Sequence, residues 1–123
     1  MKNKSRFLIV DDDDGDLTLM RNAIETAGFD ADVYVAKNGE QGVEMVDDLK
    51  PVTVIVDTNM PGINGFETCS LMKSRDKVNI QVIICTGVVD AVDAGKARAS
   101  GADGYCVKTS NYEALINEIK SMF

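Results

Sequence analysis

The sequence predicts an α/β domain: a doubly wound, five-stranded parallel sheet of (βα)5 form, built as one unit over residues 1–123. Three observations predict it. Short β-branched apolar runs recur at about 7–10 (FLIV), 33–36 (VYVA), 52–56 (VTVIV), 82–85 (VIIC) and 104–107 (GYCV), and between them lie stretches with helical spacing. Run-to-run spacings of about 20 to 30 residues are too long for hairpins, so the strands pair in parallel through right-handed crossovers. Finally, runs one, three, four and five lack the clean in/out alternation of a half-solvated sheet, as expected when helices cover both faces.

Each helix has its own signals. The first carries Leu17, Met20, Ile24 and Ala27 at steps of three and four and stops at Gly28, a natural residue to follow a helix end. Asn38, Asn64 and Asp90 stand where the caps of helices two, three and four are needed, and Gly101 closes the fourth. The last helix reads Tyr112, Leu115, Ile116 and Ile119 behind Ser110 and Glu113, a Ser-x-x-Glu capping box. Asp13 and Asp14 read as solvated acids where the dipole of helix one favours negative charge. Met60-Pro61-Gly62 reads as a tight turn. Gly42, in the first turns of helix two, costs about 1 kcal/mol against alanine, so that helix is either soft or closely packed.

Composition narrows the chemistry. With 123 residues, 45% apolar and 27% charged, the chain can bury a core without disulfides or a structural metal. No apolar run exceeds four residues, and the start MKNKSRFLIV lacks the apolar stretch of a signal peptide, so a cytoplasmic location is expected. Histidine is absent, which removes Ser-His-Asp and Cys-His nucleophiles, histidine acids and the commonest transition-metal ligand. Cys69, Cys85 and Cys106 are widely spaced among apolar neighbours and read as buried, inert thiols. A net charge of −7 argues against direct contact with nucleic acid or anionic lipid.

In parallel sheets of this kind ligands bind outside the carboxyl ends of the strands. The residues just past those ends are Asp11 to Asp14, then Asp57, Thr58 and Asn59, then Thr86 and Gly87, then Lys108. Carboxylates brought within about 4 Å repel by roughly 4 kcal/mol per pair at an effective dielectric of 20, so the rim calls for a cation. Oxygen donors without His or Cys select Mg²⁺ or Ca²⁺, and a small site with room for water suits octahedral Mg²⁺. An EF-hand does not fit: a glycine at loop position six puts Val10 and Arg21, or Asp57 and Thr68, at positions one and twelve. No GxGxxG occurs, and Gly95-Lys96 lacks the upstream glycine of a P-loop.

The segments FLIVDDDDGDLTLM, VIVDTNMPGINGFE, VIICTG and GADGYCVK stand in the order and spacing of the receiver (response-regulator, CheY-like) family, which the chain resembles over its whole length. The resemblance implies a flavodoxin-like strand order 2-1-3-4-5. It implies that Asp57 is the phosphoacceptor, a carboxylate nucleophile taking a phosphoryl group from the phosphohistidine of a histidine kinase or phosphotransfer protein. It also implies Mg²⁺ held directly by Asp12 and Asp57, through water by Asp11, and by the backbone carbonyl of Asn59. Lys108 and Thr86 then face the phosphoryl oxygens, and Tyr105 is the aromatic whose rotation follows Thr86. Such a domain is a signalling module that assists only its own phosphorylation and dephosphorylation, as a monomer or a phosphorylation-dependent dimer.

Two further positions follow from the same resemblance. Asn59 and Val88 flank the attacking water in this family, and an apolar Val88 predicts slow self-dephosphorylation. Leu19 lies off the buried stripe of helix one and is expected to face solvent in the kinase-docking surface. One departure concerns Thr109, which replaces the family's usual cis-proline and leaves the placement of Lys108 open; a cis bond there costs about 3 kcal/mol. Alternatives are a haloacid-dehalogenase-like phosphatase with Asp11 and Asp13 as its DxD pair, or a pseudo-receiver that keeps the fold without phosphorylation. The output target is not written in the sequence, which reads equally as a single-domain regulator or as the receiver part of a longer chain.

Overall fold

The computed structural model describes residues 5–75, 80–88 and 90–122. Residues 1–4 of the segment read for a signal peptide, and residues 76–79, 89 and 123 of the predicted domain span, lie outside them. Strands and helices alternate throughout: β1 (Ser5–Val10), α1 (Asp14–Thr26), β2 (Ala31–Ala36), α2 (Gly39–Leu49), β3 (Thr53–Asp57), α3 (Gly65–Arg75), β4 (Gln81–Thr86), α4 (Ala91–Ala99), β5 (Gly104–Val107) and α5 (Glu113–Ser121). All four pairings are parallel, in the order β2-β1-β3-β4-β5. The doubly wound sheet and its 2-1-3-4-5 order are thus as the sequence predicts.

The pleat sends alternate residues to opposite faces, and each face meets its own helices. Leu8, Val10, Val54, Val56, Val82 and Ile84 pack with Val43 and Val46 of α2, Met72 of α3 and Ala97 of α4. Phe7, Ile9, Ile55 and Ile83 pack with Leu17, Met20 and Ile24 of α1 and Leu115 and Ile119 of α5. Each such aliphatic side chain contributes about 1.5–3 kcal/mol on burial. The central strand β3 is buried at every residue, whereas β5, at the sheet edge, alternates buried and half-buried. Alternation therefore returns at β5, contrary to expectation, because an edge strand is covered on fewer sides.

Most of the helix signals are used as read. Asn38 accepts from the Gln41 N–H, Asp90 from the Val92 N–H, and Asn64 and Glu67 form a reciprocal box at the start of α3. Gly28, Gly62 and Gly101 adopt the left-handed backbone that ends α1, turns the Pro61 loop and ends α4. A Cβ on Gly42 would stand 2.8 Å from Val10 Cγ2, so α2 is closely packed rather than soft. The Ser110-x-x-Glu113 box does not form. α5 begins two residues later, at Glu113, whose N–H is taken by Asn111 Oδ1, and Tyr112 before it is left-handed (φ 56°). Burial of the Tyr112 ring against the α1 face outweighs the local cap.

Candidate functional site

Four strands end on one rim. Asp11 follows β1, Asp57 closes β3, Thr86 closes β4 and Lys108 follows β5. Asp11 is fully buried: its N–H reaches the Ala36 carbonyl at 3.1 Å, and its Oδ1 accepts from the Asp13 N–H at 3.0 Å. Asp57 is 9% exposed. One carboxylate oxygen each of Asp11, Asp12 and Asp57 lies within 4.8 Å of the others. At an effective dielectric of 20, two charges at that separation repel by about 3.5 kcal/mol. The three oxygen donors fit a hard divalent cation. Asp12 and Asn59 are exposed.

Lys108 sits among these acids. Its Nζ lies 2.8 Å from Asp11 Oδ2, 2.7 Å from Asp16 Oδ2 and 3.2 Å from Asp57 Oδ1, so its placement is fixed from the ammonium end. The bond to Thr109 is trans. Burial raises the Asp57 carboxyl above the usual carboxylate range, with the Asp11 charge acting in the same direction against Lys108. Burial likewise raises Asp11, against its hydrogen bonds to Lys108 and to the Asp13 N–H. Burial alone would lower Lys108, but the hydrogen bonds to Asp11 and Asp16 outweigh it and hold the ammonium firmly protonated. Both Asp11 oxygens are engaged, by Lys108 and the Asp13 N–H, and the Asp13 side chain caps α1 through the Asp16 N–H.

The remaining predicted residues occupy the rim unequally. Thr86 is buried, its Oγ1 accepting from the Thr58 hydroxyl at 3.2 Å and the Val88 N–H at 3.3 Å. Tyr105 is half-buried, with its hydroxyl donating to the Asp90 carbonyl at 3.4 Å, toward α4. Val88 is 68% exposed. Leu19 is 51% exposed and lines a groove of about 550 Å³ between α1 and α5, together with Ala23 and Ile116. Two residues of the site escaped sequence reasoning. Asp16 carries no role in the sequence reading, and Tyr112 reads as one apolar member of the α5 stripe. The available signal was the tyrosine hydroxyl, because a buried Tyr seeks a hydrogen-bond partner; here it donates to Asp16 Oδ1 at 3.0 Å.

The profile of the response regulator receiver domain matches residues 7–120. The chain belongs to this receiver family. It is 28% identical over 118 residues to the DNA-binding response regulator MtrA of Mycolicibacterium smegmatis, covering 96% of this chain and 50% of that protein. To the nitrate/nitrite response regulator NarL of Escherichia coli it is 31% identical over 113 residues, covering 92% of this chain and 52% of that protein. The receiver chain thus spans about half the length of these curated relatives. Among solved structures, a LuxR-family response regulator from Aurantimonas sp. SI85-9A1 superposes with a TM-score of 0.89 at 26% identity, over 98% of this chain and 85% of that one. The response regulator TrrA of Thermotoga maritima, solved in complex with Mg²⁺-BeF, gives 0.85 at 27% identity, over 97% and 99%. The chain is therefore a phosphoacceptor receiver domain of the two-component type. Among the described residues no helix is long and apolar enough to cross a membrane.

Proposed function

We propose that Asp57 accepts a phosphoryl group from the phosphohistidine of a histidine kinase or phosphotransfer protein, at a Mg²⁺ site made by Asp11, Asp12, Asp57 and the Asn59 carbonyl. The observation that supports this reading best is the convergence of three carboxylates within 4.8 Å with an ammonium 3.2 Å from Asp57. Asp57 attacks phosphorus in line; the new O–P bond forms as the donor's N–P bond breaks, and the electron pair leaves with the imidazole nitrogen. Mg²⁺, when bound, shields the charge between the carboxylates and the incoming phosphoryl oxygens. The Lys108 ammonium favours the ionised nucleophile and neutralises a phosphoryl oxygen.

Thr86 then exchanges its Thr58 contact for a hydrogen bond to the phosphoryl group, and Tyr105 leaves the Asp90 carbonyl and turns inward after it. Leu19 and the α1–α5 groove form the kinase-side docking surface, while Asn59 and Val88 set the lifetime of the acyl phosphate. The module, over residues 1–123, works in the cytoplasm as a monomer or phosphorylation-dependent dimer. It makes no nucleic-acid contact of its own. Incubation with acetyl phosphate or phosphoramidate and Mg²⁺ tests the assignment: wild type gains one phosphoryl mass and Asp57→Asn gains none. Equal labelling of the two proteins would overturn it, and an unlabelled wild type would point to a pseudo-receiver.

A further inference from the structure

We propose that Asp16 is a positioning residue for Lys108, itself oriented by the Tyr112 hydroxyl, an inference that rests on Asp57 being the phosphoacceptor. A lysine ammonium has three N–H donors, and Lys108 is close to three carboxylates. Two of these, Asp11 and Asp57, belong to the acid cluster that a cation and a phosphoryl group will claim. Asp16 is outside that cluster and makes the shortest of the three contacts, 2.7 Å. It remains with the lysine when the other two acquire new partners. One N–H held by Asp16 leaves the others aimed across the rim at Asp57.

The Asp16 carboxylate is fixed from two sides. Its residue stands in the first turn of α1, where its backbone N–H is taken by the Asp13 cap at 2.7 Å, and its Oδ1 receives the Tyr112 hydroxyl at 3.0 Å. Tyr112 is 4% exposed and precedes α5 in a left-handed conformation. The lysine after β5 is thereby referred to α1 and α5 together.

Position and charge give opposite expectations, which makes the inference testable. Removing the Asp16 charge leaves the site more positive, which favours encounter with an anionic donor. Releasing Lys108 slows the transfer step. With acetyl phosphate and saturating Mg²⁺, Asp16→Ala is expected to lower the maximal phosphorylation rate by about tenfold without raising the Michaelis constant, as misplacement of a charged group does. Tyr112→Phe, which changes no charge, lowers the maximal rate by about twofold to threefold, and Asp16→Asn falls between wild type and Asp16→Ala. In a Lys108→Ala background, Asp16→Ala has no further effect. A retained Mg²⁺-induced rise in melting temperature shows that Asp16→Ala is folded, and Asp16→Asn carries the test if it is not. An unchanged maximal rate, or the same loss in the Lys108→Ala background, overturns the inference alone. A wild type that takes no phosphoryl group overturns the Asp57 reading and this inference with it.

Discussion

Gly65, the first residue of α3, is buried against the loop after β3, and its N–H donates to the Thr58 carbonyl at 3.1 Å. A Cβ built there stands 2.2 Å from the Asp57 carbonyl oxygen and 2.9 Å from its carbon. Both are backbone atoms, so no rotamer change relieves the contact. In Gly65→Ala, α3 and the loop must separate by more than ~1 Å to regain van der Waals distance. Overpacking of this kind costs about 1–3 kcal/mol, and weakening the hydrogen bond to Thr58 adds about 1 kcal/mol. Helix propensity returns at most about 1 kcal/mol. The net loss is about 2 kcal/mol. An unfolding entropy of about 2.1 cal/mol/K per residue, scaled to this chain, turns that into a fall in melting temperature of about 8 °C. Gly95→Ala is the matched control: it lies in the exposed middle of α4 with nothing within 4 Å of its would-be Cβ. The same substitution there should raise the melting temperature by about 2–4 °C. Thermal unfolding by circular dichroism reads both, and acetyl phosphate labelling should be slower in Gly65→Ala alone. A Gly65→Ala protein that melts within about 2 °C of wild type would refute the steric argument.

Four other outcomes are expected. Asp57 is raised in the folded state above its ordinary value of 3.8, so its ionisation opposes folding at neutral pH. In EDTA, Asp57→Asn should melt above wild type at pH 7, with the difference vanishing as pH falls through the raised native value toward 3.8; a difference that grows on acidification would contradict the sign. Millimolar Mg²⁺ should raise the wild-type melting temperature by binding the native state, and Asp12→Ala should abolish the rise; a wild type indifferent to Mg²⁺ refutes the donor set. Leu19→Glu should impair phosphotransfer from a protein donor while sparing acetyl phosphate, and equal loss with both donors counts against a docking role. Val88→Glu and Val88→Asn should speed loss of the phosphoryl group at fixed Mg²⁺, since a polar side chain can orient water where valine cannot; unchanged lifetimes place that control elsewhere.

The sheet was legible because its signals are local and redundant: five β-branched runs at crossover spacing permit little else. Asp11, Asp12, Asp57, Thr86 and Lys108 were legible as neighbours for a related reason, since parallel strands deliver every carboxyl end to one edge. What could not be read depends on contacts between helices. Tyr112 lost its place in a capping box because its ring packs between α5 and the α1 face, and no pattern within residues 110–119 encodes that. Asp16 was hidden by its neighbours, one acid among five in a row of six residues, distinguished by a lysine 92 positions away and a tyrosine hydroxyl 96 positions away.

That separation also orders events during synthesis. Asp11 emerges early, and the ammonium that pairs with it and with Asp57 arrives only after β5, 97 residues beyond Asp11. Until then a nascent sheet of the first three strands would have to bring Asp11 and Asp57 together without their internal counterion. The last crossover therefore contributes more than an edge strand with a short ladder: it supplies the charge that lets the earlier strands settle. Docking of β5 and delivery of the Lys108 ammonium to Asp11 and Asp57 are geometrically linked, since the lysine directly follows the strand.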